Sequence, residues 1–337
     1  MTGTYDVVVV GGGAAGLNGA LMLARSRRSV LVVDAGSPRN APADGVHGLL
    51  ARDGTPPAEL LARGRAEVRG YGGTVVSGEV SGAARTGDGF TVTLADGATV
   101  RARRLLVATG VADELPDVPG LRERWGRDVV HCPYCHGWEV RDQAIGVLAS
   151  GPMSMHQALL FRQLTDDLVY FAGVGPVPPE QAEQLAARGV MVVTGEVAGL
   201  VVDGDRLTGV RLGDGTVVAR TALAVASRTV VRAGFLAELG LTAVAHPSGA
   251  GEYVPSEAGR TEAPGVWVAG NVTDPSAQVG ASAAAGALAG AQINAELVAA
   301  ETRLAVEARR GPFSAEAEAR TCERVLGDRR HGLTDAR

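Results

Sequence analysis

The run Val7-Val8-Val9-Val10-Gly11-Gly12-Gly13-Ala14-Ala15-Gly16 joins four β-branched residues to a glycine-rich turn, and residues 17–25 follow with helical spacing. Four consecutive valines read as a short strand buried on both faces, as in a parallel sheet. The turn supplies Gly-x-Gly-x-x-Gly between strand and helix. There Gly11 permits the tight turn, Gly13 lets the backbone approach a pyrophosphate, and Gly16 allows close helix–strand packing. Ala14 and Ala15 open the helix, whose N-terminus faces the negative charge. Residues 29–33 read as the second buried strand. It ends at Asp34-Ala35, 18 residues beyond Gly16, where a carboxylate can bind an adenosine ribose. Motif, strand context and acidic residue together point to a dinucleotide.

Two more strand ends belong to this site. Residues 105–108 form a buried strand running into Thr109-Gly110, and 264–269 form another running into Gly270-Asn271. One long dinucleotide touched by three distant segments fits FAD better than NAD. Between these anchors, 40–57 is a loop rich in Gly, Pro and Asp, and 57–71 has a helical pattern. Residues 73–108 hold short alternating strands, with turns at 86–89 and Asp96-Gly97. Residues 112–120 carry two prolines and a glycine and mark a domain boundary. The plan then repeats: strand 144–149, helix 153–164, strand 168–171, helix 179–188, strand 190–193, a hairpin region 197–218 and a buried strand 221–226. A long helical stretch, 276–300, precedes a tail rich in Arg, Glu and Ala.

Composition narrows the function classes. The chain has 337 residues, a formal charge of -5 and 47 dispersed glycines. The charge gives no electrostatic reason to expect nucleic acid or an anionic membrane as partner. The start lacks the basic and apolar segments of a secretory signal, and no uncharged apolar run is long enough to span a bilayer. A cytoplasmic, reducing compartment is the expectation. There, a Cys-x-x-Cys pair among three cysteines reads as catalytic or metal-binding rather than as a structural bridge.

That pair lies in His131-Cys132-Pro133-Tyr134-Cys135-His136-Gly137-Trp138. Two cysteines three apart can close a small disulfide, and their thiolates are tunable at a helix start or near positive charge. The flanking histidines stabilise a thiolate or shuttle a proton near neutral pH. Zinc is the competing reading. It needs a second pair of ligands, and Cys322 stands alone in the tail, so the redox dithiol is preferred and no metal is expected. Tyr134 and Trp138 either line an apolar substrate pocket or simply pack.

Taken together, Gly11–Gly16, 107–110, Leu115-Pro116 before Pro119-Gly120, the Cys132/Cys135 pair and 265–273 resemble the low-molecular-weight thioredoxin reductase family, over about residues 5–300. The resemblance implies an α/β, two-domain, pyridine nucleotide-disulfide oxidoreductase-like fold. A split FAD-binding Rossmann-like domain, 1–115 and 232–305, would hold an inserted smaller Rossmann-like domain, 116–231, with a tail over 306–337. It also implies a homodimer, and roles for Cys135 as the flavin-proximal sulfur and Cys132 as the interchange sulfur. His136 stands where the reductases carry an acidic proton donor, so a different proton carrier is implied. Asn271 replaces an Asp that binds the flavin ribityl chain, and an amide still bonds a hydroxyl.

The inserted domain departs further. Its expected Gly-x-Gly-x-x-Ala turn reads Ala149-Ser150-Gly151-Pro152-Met153-Ser154, and no Lys or Arg falls between Arg162 and Arg188 to meet a 2′-phosphate. The nicotinamide site looks eroded. With Cys-Pro-Tyr-Cys-His-Gly, this resembles the FAD-dependent dithiol oxidases of natural-product pathways, which close the disulfides of gliotoxin, holomycin and romidepsin. Pro38-Arg39-Asn40, His47, Asp53-Gly54 and 271–275 resemble that branch too. The expected reaction is oxidation of a small-molecule dithiol, with O2 as acceptor giving H2O2. The expected catalytic set is Cys132, Cys135, His136 and Asp274, with Asp274 either orienting a histidine or capping a turn. Asn40, His47, Gln278 and Val279 join the cofactor-binding set. The alternatives are an NAD(P)H-dependent disulfide reductase and a non-catalytic flavoprotein partner.

Overall fold

A computed structural model describes residues 3–310 and 315–326. The chain divides into two compact units, one ending at Ala291 and the other beginning at Gln292.

The first unit opens as the valine run implies. Strand β1 (Thr4–Val10), helix α1 (Ala14–Arg25) and strand β2 (Val30–Asp34) form a βαβ unit, followed by α2 (Pro57–Gly70) and β3 (Thr74–Ser77). A meander of β4 (Val80–Thr86), β5 (Gly89–Leu94) and β6 (Thr99–Val107) comes next. These strands form one sheet in the order β3-β2-β1-β6-β5-β4, and the distant strand β19 (Val266–Val268) also pairs with β6. The register puts Val10 beside both Val33 and Val107, and Val107 beside Val268. The parallel strands therefore stop at one level, and the loops beyond their C-terminal ends lie together. Val8, Leu31, Phe90, Leu105 and Val266 share one buried core beneath them.

A ribbon of β7 (Val111–Glu114) leads out of this sheet, and α3 (Leu121–Arg124), β8 (Val129–Val130) and α4 (Pro133–His136) follow. A second parallel sheet then has the order β11-β10-β9-β15-β8. It comprises β9 (Ile145–Leu148), β10 (Leu168–Gly173), β11 (Met191–Thr194) and β15 (Ala222–Val225), linked through α5 (Ser154–Phe161) and α6 (Pro179–Ala187). Ile145, Val147 and Tyr170 face one core with Phe161 and Leu185, whereas Leu148, Val169 and Phe171 face another. That alternation is the period-2 signature of strands buried on both faces. The second core is closed by β12 (Val197–Asp203), β13 (Arg206–Leu212) and β14 (Val217–Val218). The chain returns through β16 (Arg228–Val231), which pairs antiparallel with β7, and the short hairpin β17 (Val244–Ala245) and β18 (Glu252–Tyr253).

The sequence-based boundaries shift in several places. β1 starts at Thr4 because Thr4 and Tyr5 pair with Arg101 and Ala102. The supposed linker 112–120 begins inside strand β7, whose partner β16 lies far away in sequence. Helix α7 (Val279–Arg310) starts three residues later than 276 and runs past 300. Within the tail, Ala315–Leu326 is helix α8, which carries the exposed Cys322. Residues 311–314 and 327–337 lie outside the described residues. No described helix is long and apolar enough to cross a membrane.

The start of α7 crosses α1 at backbone contact. A Cβ on Gly286 would lie 1.9 Å from the Ala15 carbonyl oxygen, and one on Gly290 would lie 2.6 Å from that of Gly19. Alanine in a helix interior ordinarily gains about 1 kcal/mol over glycine. Overpacking against backbone that cannot yield costs about 1–3 kcal/mol. Gly286→Ala is therefore expected to lower the denaturant midpoint and to weaken flavin retention, because Ala15 is part of the cofactor turn. An unchanged midpoint would contradict this packing.

Candidate active site

The strand ends of the first sheet open onto a cavity of about 740 Å³, within the size range of cofactor sites. Gly11 at φ 105° makes the turn, and a Cβ there would lie 2.3 Å from the Ala108 carbonyl oxygen. Gly16 lies off the cavity, packed so that a Cβ would meet the Gly11 carbonyl oxygen at 1.9 Å. At Gly13 nothing stands within 4 Å of the Cβ position, so its face is open to the cavity. Helix α1 has no side-chain N-cap bond, which leaves its first-turn amides to an anion.

Ala14, Ala15, Asp34, Ala35, Asn40, Thr109 and Gly110 line this space. Gly270, Asn271, Gln278 and Val279 complete it from the far end of the chain. The Thr109 hydroxyl is buried there with no partner among the described residues; a cofactor polar group would satisfy it. Open glycine face, uncapped amides, orphan hydroxyl and acidic strand end together fit FAD. Asn271 has a second duty. Its amide nitrogen donates to the carbonyls of Asp274 (3.0 Å), Pro275 (3.4 Å) and Ala277 (2.8 Å), so Oδ1 is the atom left for a cofactor hydroxyl. An aspartate has no N–H with which to hold that loop.

Cys132 and Cys135 reach the same cavity. Cys132 is the extended N-cap of the single-turn α4, and Pro133 begins the turn without losing a needed N–H. Three residues on, Cys135 returns to the same side. The neighbouring Cys135 thiol lowers the Cys132 thiol to about 7; burial opposes this, while the nearby Tyr134 and Cys135 amides and the Arg39 charge assist it. The same pairing, reinforced by burial, pushes the Cys135 thiol far up. The reduced pair thus favours a single ionisation, on Cys132 at the helix start.

Both flanking histidines line the cavity, and burial lowers the pKa of each. They differ in their partners. His131 Nδ1 donates to the Val225 carbonyl at 3.1 Å, which fixes its tautomer with the lone pair on Nε2. His136 has both ring nitrogens buried and unpartnered among the described residues.

Arg39 is a residue that the spacing of motifs did not single out. Its guanidinium forks onto Asp113, Nε to Oδ2 at 2.8 Å and Nη2 to Oδ1 at 2.7 Å, and Nη1 donates to the Pro275 carbonyl at 3.0 Å. The Ser227 hydroxyl also donates to Asp113, at 2.6 Å. Burial works to raise the Asp113 carboxyl, but the Arg39 bonds and charge and the Ser227 bond outweigh it and hold it low.

Two expected residues stand apart. His47 is not among the described residues lining the cavity; it lies between Asp53 (3.4 Å) and Glu139 (3.5 Å). Asp274 is outside the wall as well, and its Oδ1 accepts from the Ser276 amide at 3.0 Å and hydroxyl at 2.6 Å, a turn-capping arrangement. Tyr134 and Trp138 are exposed, and Arg141 stacks over the Trp138 ring at 4.0 Å. Among the described residues no group of three or more His, Cys, Asp or Glu is placed to hold a metal ion.

Comparison with known proteins agrees with this geometry. The profile of the pyridine nucleotide-disulphide oxidoreductase family matches residues 5–292. The crystal structure of HlmI superposes with a TM-score of 0.87 at 46% identity, covering 92% of this chain and 97% of that one. Thioredoxin reductase sirT of Leptosphaeria maculans is 29% identical over 88% of this chain and 95% of its own length. Thioredoxin reductase tcpT of Claviceps purpurea is 41% identical over 44% of this chain and 47% of its own, so the match spans about half of that relative. The chain belongs to the pyridine nucleotide-disulphide oxidoreductase family, and FAD is its cofactor.

Because the thiolate is the nucleophile, alkylation of the reduced enzyme is expected to rise with pH through about 7 at Cys132, with Cys135 spared. Peptide mapping after iodoacetamide treatment checks this. Preferential labelling of Cys135 would contradict the proton placement.

Proposed function

We propose that this pyridine nucleotide-disulphide oxidoreductase is an FAD-dependent dithiol oxidase that closes an intramolecular disulfide in a small natural product of the holomycin type. O2 is the terminal acceptor and H2O2 the by-product. The reading includes a cytoplasmic homodimer.

The observation that carries it is the state of the second nucleotide turn, between β9 and α5. The N–H groups of Ser150 and Gly151 both donate to the Ser154 hydroxyl oxygen, at 3.0 and 3.1 Å. Two amides of the turn are thereby taken up within the protein, and Ser154 is fully buried. Ser150 donates its own hydroxyl to the Ala226 carbonyl at 2.9 Å. Gly249 packs against Pro152 so closely that a Cβ would lie 2.7 Å from the ring. Two of the turn's amides are occupied and Pro152 supplies none, which favours electrons arriving from a dithiol rather than from NAD(P)H. The similarity to HlmI supports the same branch.

The chain's own residues then act as follows. A substrate thiolate attacks Cys132 of the enzyme disulfide, forming a mixed disulfide and releasing Cys135 as the leaving sulfur. The second substrate thiol attacks the substrate sulfur of the mixed disulfide, so the product S–S bond forms and Cys132 departs as a thiolate, the form its hydrogen bonds stabilise. His136, neutral near pH 7 because burial lowers its pKa, accepts a substrate thiol proton on an unpartnered ring nitrogen. FAD, held by the glycine turn, Asp34, Thr109 and Asn271, would supply the two-electron acceptor needed to re-form the Cys132–Cys135 disulfide, with O2 as the final acceptor.

In air, a small dithiol is expected to consume one O2 and yield one H2O2 per disulfide formed. Cys132→Ser and Cys135→Ser should each fall to background in an oxygen electrode, and NADPH with a disulfide should give no turnover. NADPH-driven disulfide reduction would replace this reading with the reductase. His136→Gln is expected to lower kcat/KM about 100-fold. A near-normal His136→Gln beside a crippled His131→Gln would move the proton acceptor to His131 Nε2.

A further inference from the structure

We propose that Arg39 is a positioning residue for the redox pair: it fixes the cavity wall around Cys132 and Cys135 and places a permanent positive charge there, with Asp113 holding its guanidinium and Ser227 holding Asp113. The inference rests on the Cys132/Cys135 pair being redox-active, and it is independent of which oxidant or reductant the enzyme uses.

Geometry carries the first half. Arg39 lies in the loop after β2, Asp113 on β7, Ser227 between β15 and β16, and Pro275 in the loop before α7. Two distant segments thus meet on the Arg39 guanidinium, and a third, at Ser227, joins through Asp113. The Pro275 carbonyl is also the acceptor of Asn271, so Arg39 and Asn271 together hold the 274–277 loop. Arg39, Asp113, Cys132 and Cys135 line one cavity. A planar fork is required here. Lysine supplies the charge but cannot bond both carboxylate oxygens of Asp113 and the Pro275 carbonyl together.

Charge carries the second half. The Arg39 cation lowers the pKa of Cys132 and acts in the same direction on Cys135 and His131. Asp113 acts oppositely on His131. The remaining titratable groups of the region are His131 before the pair and His136 after it, with Glu139, His47 and Asp44 acting on His136. Arg65, Arg69 and Arg232 also line the cavity, but among the groups that shift Cys132, Cys135 and His131 Arg39 is the one permanent cation. Asp113 is nearly buried, with 9% of its side chain exposed against 23% for Arg39. The carboxylate thus anchors the guanidinium from the protein side and leaves it the more open of the two.

The test uses the FAD-loaded enzyme, reduced and freed of reductant, with Cys132 alkylation followed against pH by mass spectrometry. The double variant Arg39→Gln/Asp113→Asn keeps hydrogen-bonding groups but removes both charges. Its midpoint is expected to rise by about one pH unit, giving roughly tenfold slower labelling below the midpoint. Arg39→Lys should keep the midpoint near the wild-type value while raising KM for the dithiol, because the charge stays and the wall loosens. A double variant with normal flavin content and an unshifted midpoint overturns the proposal. Where the double variant fails to load FAD, Asp113→Asn decides: removal of the opposing carboxylate should lower the midpoint, and an unchanged or raised midpoint overturns the proposal. Alkylation needs no turnover, so loss of the oxidase reading would leave this result standing.

Discussion

Parallel strands that stop at one level leave their following loops with nowhere to go but a shared edge, and the active site is built on that edge. Val10, Val33, Val107 and Val268 lie in register. The residues after them turn into the cavity: Gly11 to Ala15, Asp34, Thr109 and Gly270. The cofactor site is therefore a consequence of strand pairing between segments distant in sequence, Val10 of β1 with Val107 of β6 and Val107 with Val268 of β19. Side chains in the loops refine it without creating it. This is the general behaviour of open parallel sheets, whose ligands sit beyond the carboxyl ends of the strands.

In the same cavity the Cys132/Cys135 pair favours a single ionisation. Neither cysteine is well solvated, so leaving both as thiolates would cost two buried charges. Cys132 stands at the N-terminus of α4 near the Tyr134 and Cys135 amides, which favours the charge on that sulfur. The interchange role that family resemblance gives to Cys132 agrees with that placement. Histidines on both sides are kept neutral by burial, ready to accept protons rather than to repel cations.

Local signals made the strand–turn–helix units and the Cys-x-x-Cys turn legible, because each is specified by residues adjacent in sequence. Valine runs, glycines with required φ, and Asp-Gly turns name their structures without help from distant partners. Arg39 was not legible as a wall residue, since Asp113 is 74 residues from it and Ser227 a further 114 from Asp113. The late start of α7 has the same cause: residues 274–277 form a turn held by Asn271 and Arg39, and Asp274 caps Ser276. Residues 232–265 lack a hydrophobic period and yield only short pieces such as β17 and β18. The degenerate glycine turn could be read as eroded, yet only the fold reveals that Ser154 occupies its amides.

The account stands or falls on the source of the electrons. The most direct measurement is the flavin absorbance of the holoenzyme under anaerobic conditions, after addition of a small dithiol or, separately, of NADPH. Bleaching by the dithiol and not by NADPH, with the oxidised spectrum returning when air is admitted, is the result expected. Rapid bleaching by NADPH would contradict it, and would mean that the self-satisfied turn between β9 and α5 opens to admit a nicotinamide.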